Sequence, residues 1–338
     1  MHAPSIRSYD AAEKVLSVLV SSAYRRNSLP GMNLAECRPE MLSNLGQCTK
    51  SGSPIQLTVL AFPFKVPNPA KVGARKLPDF AEFAAICHFR ALRDAVQSVY
   101  PPGLEIHILH DGSLIADVFG IDLSEVRQYE EYFAELVALA RASDFIHCHD
   151  FSALQRRHAF NPDNSLERLQ SEAEKWWLSR RGTSEWRDSF QKTLGMMNLR
   201  GLPATIVAQM MDDARVGCLP AGHEEIERRV HRAMMEYHVR DAIIHQFDPR
   251  PCCFPVAIHA TTRNRRGRLS IWLVRRGQSL LPWHGVGSLD DRGFAQVVHA
   301  MNVAEQPNYC PLSIAGEETP FVYRKSATSE SLDLESVH

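Results

Sequence analysis

Lys65, Lys71, Arg75 and Lys76 lie close together in the stretch FPFKVPNPAKVGARKLPD, residues 62–79, and no acid joins them before Asp79. Ammonium and guanidinium groups gathered without carboxylates recognise anions, phosphate and carboxylate above all. The same stretch carries Pro63, Pro67, Pro69, Pro78 and Gly73. Proline fixes φ and removes a ladder donor, so a helix or central strand is excluded and a stiff loop is expected. Long loops are functional or disordered, and this composition is not that of disorder. An anion-binding loop is the first expectation; a solvated basic surface loop competes with it.

Groups that hold or move protons occur at other punctuated points. His110 and Asp111 precede Gly112 directly after the apolar run LEIHIL, which places an imidazole and a carboxylate at a site edge. A plain Asp-Gly turn is the competing expectation there. Asp117 interrupts LIADVF, where an unpaired buried carboxylate would be costly, so it must have a partner or face a cavity. His147 and His149 share one strand face with Asp150 beside them, but no third metal ligand is identifiable and no metal is assigned. His259 ends the apolar run FPVAIH, and Trp283-His284 sits in a Pro/Gly loop. A histidine in such a position is ordinarily a satisfied structural residue. The Trp176-Trp177 and Met196-Met197 pairs are expected in packing.

These groups belong to a chain of 338 residues with 44% hydrophobic and 23% charged residues, an ordinary globular composition. A net charge of −1 gives no global field for nucleic acid or anionic lipid. No signal peptide or membrane-length apolar run is evident. The 8 cysteines show no paired zinc spacing, which predicts reduced thiols and a cytoplasmic protein. Neither GxGxxG nor a P-loop occurs, so nothing supports nucleotide binding.

The elements that must position the candidates follow from periodicity. Residues 9–20 predict a helix, and the remainder of 1–54 a loose, partly helical cover. Ile55 to Phe62 predicts a buried strand feeding the basic loop. Asp79 caps a helix to about Val99, stopped by Tyr100-Pro-Pro-Gly103. Leu104–Leu109 is a strand, Leu114–Phe119 a further extended piece, and Asp122 with Glu125 opens a helix to Arg141. Phe145–Phe151 is expected as a strand and residues 161–247 as a helical segment. Pro251–Thr261 and Arg268–Val274 are expected to form a hairpin through NRRG, residues 290–303 a helix, and 326–338 a flexible tail. The whole is an α/β protein with a mixed sheet, a single domain over 55–325. Ligands of open α/β sheets bind beyond the carboxyl ends of strands, which is where the basic loop falls.

Taken in order, FPFKVPNPAKVGARKLPD, then VYPPG at 99–103, HDG with IADVFG at 110–120, Ile258-His259, and PWHG at 282–285 resemble the pyoverdine/dityrosine biosynthesis family, the isonitrile synthases. The resemblance spans about residues 57–130 and 252–287. It implies a Rossmann-like fold and an enzyme without metal or redox cofactor. Its implied substrates are an L-amino acid, tyrosine- or tryptophan-like, and ribulose 5-phosphate, with an iron/2-oxoglutarate oxygenase as downstream pathway partner. In that chemistry the amine condenses with the C2 ketone; fragmentation of the sugar then leaves C2 as the isonitrile carbon. Carried onto this chain, it assigns Lys65, Asn68, Lys71, Arg75, His110 and Trp283 to substrate binding. Lys65, Asp111, Asp117, His259 and His284 become the catalytic candidates. The chain departs from the family pattern at His110 and Ala116, where serines are expected, and at Pro255, where arginine is expected. Two other readings stay open: a non-catalytic member that binds sugar phosphate or amino acid, and a metal-dependent hydrolase using His147, His149 and Asp150.

Overall fold

In a computed structural model, the described residues are 6–26, 34–161, 163–247, 253–261 and 268–326. The central sheet is built from β1 (Ile55–Leu60), β2 (Leu104–His110), β3 (Ile146–Asp150), β4 (Ile258–Thr261) and β5 (Leu269–Ser270). They lie in the order β3-β2-β1-β4-β5, and every pairing is parallel. That order reverses between β1 and β4, so the switch-point crevice of a doubly wound sheet opens at the carboxyl ends of these two strands. The strands are short and β-branched, and Leu57, Val59, Ile106 and Ile108 are wholly buried.

Helix α4 (Phe80–Gln97) returns the chain from β1 to β2, and the sequence fixes both its ends. Asp79 accepts from the Ala81 amide at 2.7 Å, while Glu82 accepts from the Asp79 amide at 2.9 Å, a closed capping box. At the other end Gly103 turns the chain with φ of +78°. Between β2 and β3 come α5 (Gly112–Phe119) and α6 (Leu123–Leu139). The stretch 114–119 is therefore helical, not extended. A short apolar run is compatible with either period, and burying Ile115, Ala116 and Phe119 on one helical face decides it.

Ahead of β1 lie two helices, α1 (Ile6–Leu19) and α2 (Leu34–Ser51), whose Val15, Leu16, Leu19 and Leu45 join the main core. Among the described residues, the span from β3 to β4 holds the α-helices α7 (Phe151–Arg157), α8 (Asp163–Arg180), α9 (Ser184–Leu194), α10 (Ala204–Asp213) and α11 (Glu224–Gln246). Leu169 and Ala173 of α8 pack with Val239 and Ile243 of α11 in a cluster apart from the main core.

A second sheet holds β6 (Val286–Leu289), β7 (Ala295–Val298), β8 (Tyr309–Leu312) and β9 (Val322–Lys325) in the order β7-β6-β9-β8. Its β6–β7 and β8–β9 pairs are antiparallel and its β6–β9 pair is parallel, so mixed pairing is confined to this sheet. Two expectations fail in this half of the chain. The segments 251–261 and 268–274 do not form a hairpin: β4 and β5 pair in parallel, with Ala260 opposite Leu269. Alternating apolar residues serve a parallel edge pair as well as a hairpin, so pattern alone could not separate them. Residues 290–303 are not one helix either. Asp290 accepts from the amides of Arg292 and Phe294, which closes a hairpin turn into β7, and only Ala300–Asn302 make a 3₁₀ turn. Pro251, Cys252, the NRRG turn and the tail beyond 326 lie outside the described residues.

Candidate active site

Phe62 leaves β1 with φ of +58°, a costly conformation for a bulky residue. The turn is held from several sides. The Phe62 ring meets Phe133 at 4.6 Å and Trp283 edge-on at 5.1 Å, and its carbonyl lies 2.8 Å from His110 Nδ1. A carbonyl only accepts, so Nδ1 carries the proton, and burial pushes the imidazole down to about 4, which keeps His110 neutral. His110 thus latches the end of β2 to the strained exit of β1. Gly112 completes the junction: a Cβ there would stand 2.1 Å from the Pro63 carbonyl oxygen.

The loop that follows is buried, with Phe64, Lys65, Val66 and Asn68 all wholly inaccessible. Its one helical turn, α3 (Pro69–Val72), corrects the expectation that no helix could form, since proline is tolerated at the first helical position. Asn68 caps that turn by accepting from the amides of Ala70 and Lys71, at 3.1 and 3.3 Å.

A loop without acids cannot pair its four cations by itself, and three of them find carboxylates beyond it. Acids absent from the loop reach it from other elements. Lys65 donates to both Glu82 oxygens at 3.0 and 2.8 Å and to the Pro282 carbonyl at 3.1 Å, and pairs with Asp79 at 3.0 Å. An ammonium has three protons, so this cluster occupies it fully. Burial raises the Asp79 carboxyl to about 7, against the opposing pull of Lys65 and with the push of Glu82. Tyr129 adds a hydrogen bond to Glu82 at 3.1 Å. Arg75 is tied to the second sheet's segment: it pairs with Glu317, donates to Thr319 Oγ1 at 3.0 Å and to the carbonyl of Pro78 at 2.6 Å. Lys76 is exposed and pairs with Glu125 at 3.6 Å.

Lys71 differs. Its Nζ donates to the Gly195 carbonyl at 2.9 Å, and among the described residues no carboxylate pairs with it. Burial without a counter-charge lowers it to about 8. A Cβ on residue 195 would stand 2.4 Å from that nitrogen, so glycine makes room for the ammonium. His299, itself lowered by burial and by Lys71, lies near.

The other candidates divide. Asp111 precedes α5 at the carboxyl end of β2, where it helps to raise Glu130 to about 7; burial is the larger cause and Asp150 adds to it. Asp117 instead lies on the exposed side of α5, with a side-chain exposure of 64%, paired to Arg240 at 2.9 Å. The expected partner is therefore present, and the cost of burial that singled Asp117 out does not arise. His259 is the second residue of β4, opposite Thr58 of β1, with Nδ1 2.7 Å from the Thr58 hydroxyl. Trp283 and His284 form a 3₁₀ turn whose Pro282 and Trp283 carbonyls accept from Lys65 and from the Val66 amide.

The metal reading has little to stand on. His147 Cα pairs with His107, whose Nδ1 lies 3.1 Å from His149 Nε2, while Asp150 is spent capping α7 at the Ser152 amide, 2.8 Å away. Among the described residues no group of three or more ligands is placed to hold a metal ion, and no helix is long and apolar enough to cross a membrane.

Sequence reasoning missed Glu82, Tyr129, Glu317 and Thr58. The spacing of Asp79 to Glu82 carried the capping-box signal, and Thr58 stood out as a polar residue inside IQLTVL. Glu317 is far along the chain from Arg75 and left no local trace.

Comparison with known proteins bears on this arrangement. A model of the pyoverdine/dityrosine biosynthesis proteins matches residues 45–195. An L-tyrosine isonitrile synthase of Xenorhabdus nematophila is 35% identical over 88 residues, 26% of this chain and 26% of that protein. An L-tyrosine isonitrile synthase of Pseudomonas aeruginosa is 22% identical over 276 residues, 80% of each chain. An L-tryptophan isonitrile synthase of Fischerella ambigua is 27% identical over 106 residues, 31% of this chain and 32% of that one. The chain thus spans about a quarter of the first of these relatives. The crystal structure of the PvcA protein from Pseudomonas aeruginosa superimposes with a TM-score of 0.66 and 21% identity, covering 93% of this chain and 99% of that one, which shows a common fold. The family that the ordered motifs resemble is therefore the one whose model this chain matches, the pyoverdine/dityrosine biosynthesis proteins.

Proposed function

We propose that this protein is an isonitrile synthase that converts the amino group of an aromatic L-amino acid, using C2 of ribulose 5-phosphate as the isonitrile carbon. The observation that carries the reading is Lys71, a largely buried cation on the loop leaving β1 at the switch point, with which no carboxylate among the described residues pairs. A phosphate there would supply the missing charge. The relatives named as tyrosine and tryptophan isonitrile synthases support the amino-acid class.

Within this proposal Lys71 holds the sugar phosphate, with Trp283 a wall of the pocket. Asp111, at the end of β2, receives the substrate ammonium. His259 and His284 carry protons between the amine, the carbinolamine oxygen and solvent. Lys65, Asn68, Arg75 and His110 act indirectly, by holding the loop in shape. Loss of water from the carbinolamine gives an imine; fragmentation then releases phosphate, C1 as formaldehyde and the C3–C5 portion as a three-carbon hydroxyketone, leaving C2 on the nitrogen. An iron/2-oxoglutarate oxygenase would act on the isonitrile product, and a cytoplasmic setting fits these soluble substrates.

Incubation of the purified protein with ribulose 5-phosphate and pooled L-amino acids, followed by tetrazine trapping, tests the reaction. An isonitrile adduct dependent on both substrates is expected. Its absence from every mixture containing folded protein overturns the activity. The internal satisfaction of Lys65 and Arg75 favours one second reading, ligand binding without turnover, because less of the loop's charge is left for chemistry. Calorimetric binding of ribulose 5-phosphate without product formation would select it.

A further inference from the structure

Parallel sheets covered on both faces are normally apolar throughout. Here a polar row crosses four neighbouring strands in register. His147 pairs with His107, His107 with Thr58, and Thr58 with His259. Thr58 is wholly buried in the middle of the row. A valine would fit the same β-branched space and spare the cost of taking a hydroxyl out of water. That cost is offset by one partner, Nδ1 of His259 at 2.7 Å.

We propose that Thr58 is a positioning residue for His259, an inference that rests on His259 acting as an acid–base group in the reaction proposed above. A hydroxyl both donates and accepts, so it holds the ring when Nδ1 is bare and when Nδ1 is protonated. Engaging Nδ1 fixes the ring plane on β4 beside Thr58 and assigns proton transfer to Nε2. When Nε2 takes a proton from the substrate ammonium, Nδ1–H of the resulting imidazolium donates to Thr58 Oγ1. The amine, relieved of that proton, attacks the ketone. Nε2 returns the proton when the carbinolamine loses water. Valine at 58 keeps the shape of the strand and removes both functions, whereas serine keeps the hydroxyl.

The test compares Thr58→Val and Thr58→Ser in the full-length protein by steady-state kinetics and by ¹⁵N NMR of labelled histidine. Thr58→Val is expected to lower kcat about 100-fold, the scale of a misplaced general acid–base group, with KM for both substrates little changed. Thr58→Ser is expected to recover most of the loss. The His259 ¹⁵N shifts should show one dominant tautomer in the wild type and altered tautomer populations in Thr58→Val. Wild-type kcat in Thr58→Val, or unchanged His259 shifts, overturns the proposal. Should the wild type make no isonitrile, the NMR arm decides alone: altered shifts locate the failure in the proposed activity, and unaltered shifts locate it in the positioning role.

Discussion

Lys71 and Lys65 are six positions apart on one loop and opposite in electrostatic situation. Lys65 neutralises carboxylates that would otherwise be buried unpaired, so Lys65→Met strands Asp79 and Glu82 without their cation. Breaking a buried ion cluster by removing one partner costs about 3–5 kcal/mol. Chemical denaturation of that variant should show a loss of this size, accompanied by loss of the ordered loop. Lys71→Met should cost little stability and raise KM for the proposed sugar phosphate at least about tenfold, the worth of one charge-assisted contact; an unchanged KM would remove Lys71 from the proposed phosphate site. The pH dependence has a definite sign. The folded pKa of about 8 lies below the unfolded value for lysine, about 10.4. Between those values the unfolded chain holds more protons, so stability of the ligand-free protein rises with pH across that window. Lys71→Met should flatten this rise in denaturation curves taken at about pH 8, 9 and 10. A bound phosphate favours the ammonium, so calorimetry in buffers of differing ionisation enthalpy should record proton uptake near pH 8.

At the scale of elements, the junction of β1, β2 and the basic loop is where close packing does most to shape the site. The Pro63 carbonyl presses against Gly112, and His110 donates to the carbonyl just before it. Gly112→Ala must push the β2–α5 turn away from the loop, and overpacking of this kind costs about 1–3 kcal/mol. Thermal denaturation should show the loss, and His110 should regain a protonation step closer to the ordinary histidine range only as the loosened turn lets water reach its buried ring; a fully native Tm would show that the turn has slack. The HDG motif announced this turn in the sequence, but only as a turn, because the strand and helix periods are both satisfied by LIADVF. The capping box at Asp79 was legible for the same local reason that the ion cluster was not. Caps are set by neighbours three positions away, whereas Lys65 meets Pro282, and Arg75 meets Glu317, across most of the chain. Local composition therefore located the loop correctly and misjudged what its charges do.

For the whole molecule, the order β3-β2-β1-β4-β5 explains why motifs far apart in sequence converge: the first three motifs of the family pattern belong to β1, α4, β2, α5 and their joints, and the Ile258-His259 motif arrives on β4 beside β1. The segment between β3 and β4 carries none of those motifs, and its packing is of a different grade. In α8 only Leu169 and Ala173 are buried, in a small cluster with Val239 and Ile243, while the half-buried Trp176 and Trp177 pack against the main core. Opening α8 thus undoes mostly partial burial, whereas opening β1 exposes the wholly buried Leu57 and Val59 together with the ion cluster that the adjoining loop carries. Local openings cost free energy in proportion to the burial they undo. Native-state hydrogen exchange should accordingly separate the two: amides of residues 163–180 are expected to exchange through a low-energy opening, and those of β1 and β2 only through global unfolding. A variant such as Leu169→Ala should speed exchange in α8 while leaving β1 protection and the denaturation midpoint nearly unchanged. Equal acceleration in both regions would show instead that α8 and the sheet unfold as one cooperative unit, and that the helical segment is part of the scaffold holding the crevice.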